Sequence, residues 1–172
     1  MNYKCTYISP LGEYTLFGNG ERLLGLWLKG QKYFGENYNV ENALTDSHCF
    51  REAINWLDRY FAGEKPDIFE LSLAPSGSSF RQEVWEILKQ IPYGQTTSYA
   101  EISAQIAQRK KIDKMASQAV GNAVGHNPIS IIIPCHRVVG KDGSLRGYAG
   151  GIDTKIELLK HEGVDTRRFF AP

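Results

Sequence analysis

The sequence predicts an α+β fold in two parts: a small N-terminal domain on an antiparallel sheet, residues 1–75, and a mainly helical C-terminal domain, residues 76–172. Three observations predict it. The first 30 residues hold three stretches rich in Tyr, Ile, Leu, Phe and Trp, separated by turn residues. Apolar residues then recur with a helical period, first after residue 50 and again after residue 79. Between the two helical stretches lies a Pro-Ser-Gly-Ser-Ser break at 75–79, which has the composition of a linker.

The stretches YKCTYIS (3–9), EYTLFGN (13–19) and RLLGLWLKG (22–30) are parted by Pro10-Leu11-Gly12 and Asn19-Gly20, which predicts a hairpin pair or meander. Phe50, Ile54, Leu57 and Phe61 share a helical face that Gly63 and Pro66 terminate. IFELSLA (68–74) reads as a short strand. In the second half, Phe80, Val84, Ile87, Leu88 and Ile91 form an apolar face, with Ser79 and Gln82 as a capping box at its start. Pro92-Tyr93-Gly94 ends that helix, and Ser98 with Glu101 caps another running to about Ile106. A basic loop (Arg109, Lys110, Lys111, Asp113, Lys114) leads to a short helix over 116–128, stopped by Asn127-Pro128. Two short helices joined by a loop predict a helix-turn-helix. A last helix presents Ile152, Ile156 and Leu159, with Gly163 as its stop and Glu162 at its end.

Composition narrows the function classes. The chain has 172 residues, 42% hydrophobic and 23% charged, with net charge +1, which is ordinary for a globular protein. No apolar run reaches the ~18 residues of a membrane span, and the start lacks an apolar signal core, so the expected place is the cytoplasm. Three cysteines, Cys5, Cys49 and Cys135, leave at least one unpaired; reduced thiols are expected there. Residues 1–75 carry 7 Lys/Arg against 10 Asp/Glu, whereas residues 76–172 carry 13 against 9. A basic C-terminal half points mildly to an anionic partner.

Two features of that half call for chemistry. The helix ASQAVGNAVGHNP is nearly bare, with Ala116, Ala119, Gly121, Ala123 and Gly125, although a helical glycine costs about 1 kcal/mol against alanine. A thin helix serves close helix packing or close approach to a nucleic acid; the sequence leaves both open. The second feature is IIIPCHRVVG (131–140), in which an apolar run ends in Pro134 and then Cys135-His136. A free cysteine ordinarily fills space, the expectation for Cys5 and Cys49. Beside a histidine it can instead be a nucleophile. On a regular strand neighbouring side chains point to opposite faces, so His136 can serve Cys135 only across a bend or a bridging water. A carboxylate such as Glu162 could orient the imidazole, in the logic of a triad.

PCHRVVG (134–140), GYAGG (147–151), Lys155 and HEG (161–163), with IPYGQTTSYAEI (91–102) and VGNAVGHNP (120–128), resemble the O6-alkylguanine-DNA alkyltransferase family. The likeness is strong over about 78–165 and weaker over 1–75. It implies a ribonuclease-H-like N-terminal domain and a winged-helix-like C-terminal domain. It also implies DNA repair by a single-turnover transfer: the protein binds the minor groove of duplex DNA, extrudes the base, and moves the alkyl group from O6-alkylguanine, or O4-alkylthymine, to its own cysteine. Cys135 would be the acceptor, His136 a water-mediated base and Glu162 its partner. Asn127 would be the hinge, Tyr99 a donor to guanine N3, and Lys155 and Tyr148 would shape and polarise the pocket. Backbone groups of Cys135, Val138 and Ala149 would read the guanine edge. The thin helix would enter the minor groove, with Ala116, Gln118, Ala119, Gly121, Thr97 and Ser98 facing DNA. Many members intercalate an arginine where this chain has Gln118, and some have serine where it has Ala149. The resemblance implies a monomer, no cofactor and no membrane partner. Cys5, His48 and Cys49 lack zinc-ligand spacing, so no metal is expected.

Two other function classes remain at this stage: a lesion-binding sensor without chemistry, and a Cys-His hydrolase with an acyl substrate. An intact Cys135 argues against the sensor.

Overall fold

A computed structural model describes all 172 residues. The chain divides into two compact units: Met1–Ser76 with Pro128–Ile132, and Gly77–Asn127 with Ile133–Pro172. The five residues 128–132 thus belong with the N-terminal unit, although the sequence places them beside the thiol.

In the first unit, β1 (Tyr3–Ser9), β2 (Gly12–Gly18) and β3 (Leu23–Leu28) form the expected antiparallel meander. A fourth, two-residue strand, β4 (Leu44–Thr45), pairs parallel with β1, giving the order β3-β2-β1-β4 and a mixed sheet. Alternation puts Tyr14, Leu16, Leu26 and the ring of Trp27 in the core. Helix α1 (Arg51–Phe61) buries Ala53, Trp56, Leu57 and Tyr60, a face turned by about one residue from the expected one, because the large Trp56 and Tyr60 rings stack on each other inward. The stretch 68–74 is not a strand. Asp67 caps a 3-10 turn at Ile68–Glu70, and a single bridge joins Leu73 to Leu23.

Residues 128–132 continue this unit by bonding β3: Leu26 N–H donates to Pro128 O (2.8 Å) and Ser130 N–H to Leu26 O (3.1 Å). Ile131 then takes φ 68°, and Ile132 N–H closes a three-residue turn on Ser130 O at 2.7 Å. A buried β-branched residue in that conformation is strained.

The second unit is helical. α2 (Ser79–Leu88) is capped by Ser78, whose Oγ accepts from Arg81 N–H. The cap therefore falls one residue before the expected Ser79, and the Ser79/Gln82 box does not form there. β5 (Thr97–Ser98) leads into α3 (Tyr99–Lys110), whose Ser98/Glu101 capping box is complete. α3 runs a turn beyond the expected Ile106, so Arg109 and Lys110 are helical and complement its C-terminal dipole. α4 (Ser117–Gly125) packs on α2 through the Trp85 indole, which donates to Ala123 O at 2.8 Å. β6 (Val138–Val139) pairs parallel with β5, and α5 (Ile152–His161) buries Lys155, Leu158 and Leu159. No helix is long and apolar enough to cross a membrane.

Candidate alkyl-acceptor site

The run before the thiol folds as turns rather than as a strand. Pro134 sits at φ −83°, ψ 64°, and Cys135 N–H bonds Ile133 O across it at 2.8 Å. This inverse γ-turn suits proline, which fixes φ and offers no N–H. Cys135, His136 and Arg137 then form one 3-10 turn, and all three side chains are buried. That is the bend a Cys-His pair needs: strand alternation does not apply within the turn.

His136 is fully buried, and its Nε2 lies 2.6 Å from Glu162 Oε2. Glu162 is the C-cap residue of α5 and is buried, not a solvated surface charge. Its carboxylate also receives the guanidinium of Arg137, from Nε to Oε1 at 2.7 Å and Nη2 to Oε2 at 3.1 Å, and the Gly94 N–H at 3.1 Å. Arg137 Nη1 donates to Ile91 O at 2.7 Å, and the guanidinium lies 5.7 Å from the Tyr93 ring centroid. The sequence reading passed over Arg137. The available signal was an arginine following Cys-His inside an apolar run, where a charge is buried only with a partner.

The electrostatics follow from these contacts. Burial alone would raise the Glu162 carboxyl, but His136 and Arg137 together hold it far below the usual carboxylate range. Burial pushes His136 down despite Glu162, so at neutral pH the ring is neutral and the carboxylate ionised. Nε2 then carries the proton towards Glu162. Nδ1, the other ring nitrogen, is buried without a protein partner and is left as the acceptor.

Cys135 is only 6% exposed. Burial pushes its thiol up, against the opposing pull of the Asn127 amide, the nearby Lys155 ammonium and the backbone N–H groups of Cys135 and His136. The resting sulfur is therefore a thiol: desolvation outweighs the nearby positive charge. Asn127 also donates to Ile133 O at 2.8 Å, tying the end of α4 to the turn that carries Cys135. Lys155 is 1% exposed, donates to Val138 O (2.6 Å) and Arg146 O (3.3 Å), and is pulled down to about 8 by burial.

A cleft of about 1060 Å³ is walled by Tyr99 and Ala100, by Ser117, Gln118, Gly121 and Asn122 of α4, and by the loop Gly140–Gly147; Cys135 itself is not one of its walls. Tyr99 links cleft and thiol: it lines the first, and its hydroxyl is pushed up chiefly by burial and then by a charge on Cys135. Its hydroxyl donates to Arg146 O at 2.7 Å. One glycine of α4 is explained here: a side chain at Gly125 would begin 3.3 Å from Gly147 O, a tight approach, whereas one at Gly121 would begin at an ordinary 3.7 Å from the Tyr99 ring.

Cys135, His136, Glu162, Asn127, Tyr99, Lys155 and Val138 thus come together. Tyr148 and Ala149 are half-buried on the following loop, where Tyr148 O accepts from Gly151 N–H. On the helix-turn-helix, Ala116, Gln118 and Ala119 are exposed and Gly121 is half-buried. Thr97 donates to the Glu101 carboxylate. Ser98 is buried and its Oγ caps α3 at Glu101 N–H (3.1 Å), which leaves its side chain no part in an outer surface.

A helix-turn-helix beside a buried Cys-His-Glu constellation and an open cleft defines a DNA-binding protein with a thiol acceptor. The comparisons agree. Residues 79–164 match the model of the 6-O-methylguanine DNA methyltransferase DNA binding domain, and residues 2–75 that of the ribonuclease-like domain. A methylated-DNA–protein-cysteine methyltransferase of Methanosarcina acetivorans is 44% identical over 94% of this chain and 98% of its own. The crystal structure of the Mycobacterium tuberculosis O6-methylguanine methyltransferase superposes with TM-score 0.82 at 42% identity, covering 100% of this chain and 97% of that one. The crystal structure of M. tuberculosis OGT in complex with DNA gives 0.80 at 41% identity, covering 97% of this chain and 94% of that one. The chain belongs to the 6-O-methylguanine DNA methyltransferase family.

Proposed function

We propose that this protein repairs alkylated DNA by moving the alkyl group of O6-alkylguanine, or of O4-alkylthymine, onto Cys135 in a single turnover. The observation that carries the reading is the buried Glu162–His136 pair, which leaves His136 Nδ1 as the acceptor beside a thiol on the same tight turn.

The lesion is extruded from the duplex, at a cost of a few kcal/mol that is least for a poorly paired base, and enters the cleft behind Tyr99. A water between Cys135 and His136 Nδ1 carries the thiol proton to the imidazole, and Glu162 stabilises the resulting imidazolium. Sulfur attacks the alkyl carbon, the C–S bond forms, and the C–O6 bond breaks with its electron pair going to the guanine. Tyr99 leaves Arg146 O and gives its proton to guanine N3, so the base departs neutral. The imidazolium proton restores the tyrosine through solvent, and the net products are a thioether and guanine. A thioether neither hydrolyses nor exchanges, so each molecule acts once. Lys155 and the Asn127 amide stabilise charge on the sulfur. Backbone groups of Cys135, Val138 and Ala149 read the base edge beside Tyr148.

Residues 76–172 carry DNA binding and alkyl acceptance, and residues 1–75 form the ribonuclease-like partner domain. The minor groove takes α4 with Ala116, Gln118, Ala119 and Gly121; Thr97 and the backbone at Ser98 flank it. The protein acts as a monomer. The working compartment is the cytoplasm, a reading supported by the need for a reduced acceptor thiol.

The test is to mix the protein with a duplex containing O6-methylguanine and weigh it. One added methyl per molecule, absent in Cys135→Ala, is the expected result. Tight binding with no mass gain would establish a sensor instead, and repeated turnover of an acyl ester would establish a hydrolase.

A further inference from the structure

The helix that faces DNA in the proposed function carries no Lys or Arg from Ser117 to His126, yet DNA affinity comes largely from cations that neutralise phosphates. The opposite wall of the same cleft supplies them. Lys141 and Arg146 line it together with a single carboxylate, Asp142, which accepts the Ser144 N–H at 3.0 Å. Arg146 is exposed, and its Nε and Nη2 rest on the neutral Ser144 Oγ at 3.2 and 3.1 Å. Its charge reaches into the site: it acts on the Tyr99 hydroxyl and opposes the upward push of burial there. Its carbonyl is the group that accepts from both Tyr99 and Lys155. We infer that Arg146 is the cleft's DNA-binding cation, taking a phosphate beside the extruded nucleotide from the wall opposite Gln118.

The chemistry of the exchange favours it. A serine hydroxyl is a neutral acceptor. Replacing it by a phosphate oxygen gives a charge-assisted bond to a planar fork that fits phosphate in a bidentate way. The neutral Gln118 on α4 is then no deficit in charge, because the cation enters from the loop. No backbone bond of the loop has to break for the side chain to turn: Ser144 Oγ holds its tip, and the remaining pull on it is the charge of Asp142.

The inference rests on the proposed function, and the experiment separates the two. Affinity for a duplex containing O6-methylguanine is measured from 50 to 200 mM salt, roughly the span over which phosphate contacts are resolved, alongside methyl uptake by mass. Arg146→Thr should weaken binding and make the slope of log affinity against log salt shallower by about 0.9, the loss of one phosphate contact. Arg146→Lys should keep the slope, because the charge stays. Adding Gln118→Arg to Arg146→Thr should restore it from the other wall. Melting temperatures of the three variants check that they fold. If wild type gains a methyl but Arg146→Thr binds with an unchanged slope, Arg146 is not the contact. If Arg146→Lys loses the slope too, the residue acts through the loop's shape rather than its charge, and the inference is overturned. A wild type that gains no methyl defeats the proposed function, whatever the slopes show.

Discussion

His136 Nε2 and Glu162 Oε2 stand 2.6 Å apart with both side chains fully buried, and the same carboxylate binds Arg137. One carboxylate therefore does two jobs. It fixes which imidazole nitrogen is free, and it is the counter-charge of a buried guanidinium.

Glu162→Gln ends both jobs at once, removing the charge while keeping the shape. The imidazolium formed during transfer loses its stabilising partner, and general-base assistance is ordinarily worth about 100-fold or more. Methyl transfer measured by rapid quench should slow by about that factor. Arg137 is left without its counter-charge, and breaking a buried pair from one side costs about 3–5 kcal/mol, so urea unfolding should show a large loss. A rate within twofold of wild type would remove the carboxylate from the chemistry.

The same pair sets an acid limb. His136 has its pKa lowered from an ordinary 6.5, chiefly by burial. For Glu162, burial acts upward, but His136 and Arg137 bring it below its ordinary 4.5. Both groups bind protons more weakly folded than unfolded. As pH falls, the unfolded chain therefore takes up protons first, and stability is lost. The loss should begin below the ordinary histidine value and steepen below the ordinary carboxylate value. Chemical denaturation in steps from neutral to acid pH reads it; a flat profile would contradict the assignment of charges.

Lys155 follows the same sign at the alkaline end. It is held charged in a dry site at neutral pH although burial brings it to about 8 from 10.5, a cost on the order of 3 kcal/mol. Between those two values the folded protein releases the proton and the unfolded chain keeps it, so stability should rise with pH across that window. Lys155→Met removes the cost, offset by about 1 kcal/mol for each lost hydrogen bond. The variant should melt higher at neutral pH, lose the alkaline rise, and transfer methyl far more slowly. A lower melting temperature would mean the ammonium is a net structural support.

Methylation should loosen the fold. Cys135 is 6% exposed on a tight turn, and an added methyl in a packed site costs about 1–3 kcal/mol. In a chain of this size that is a melting temperature lower by roughly 2–10 °C. Scanning calorimetry of the methylated protein checks it, and an unchanged transition would show that the site has room to spare.

Local structure that carries its own chemical signal was legible in the residue order. The meander followed from turn pairs between aromatic stretches, and α3 from a Ser98/Glu101 box that formed as read. The acceptor motif was legible because Cys135-His136 and Glu162 stand in segments with a distinctive residue order, which is also what carried the family resemblance. Local pattern could not decide what depends on distant neighbours. Ile131-Ile132-Ile133 is an apolar β-branched run of the kind that forms strands, yet its backbone turns twice, since bonds to Leu26 and the Pro134 turn compete with strand pairing. The α1 face shifted because ring stacking outweighed a regular period. Only the tertiary structure brought Arg137 to Glu162, 25 residues away, and set the charges of the site. A pKa depends on burial and on partners within a few ångströms, and neither is written along the chain.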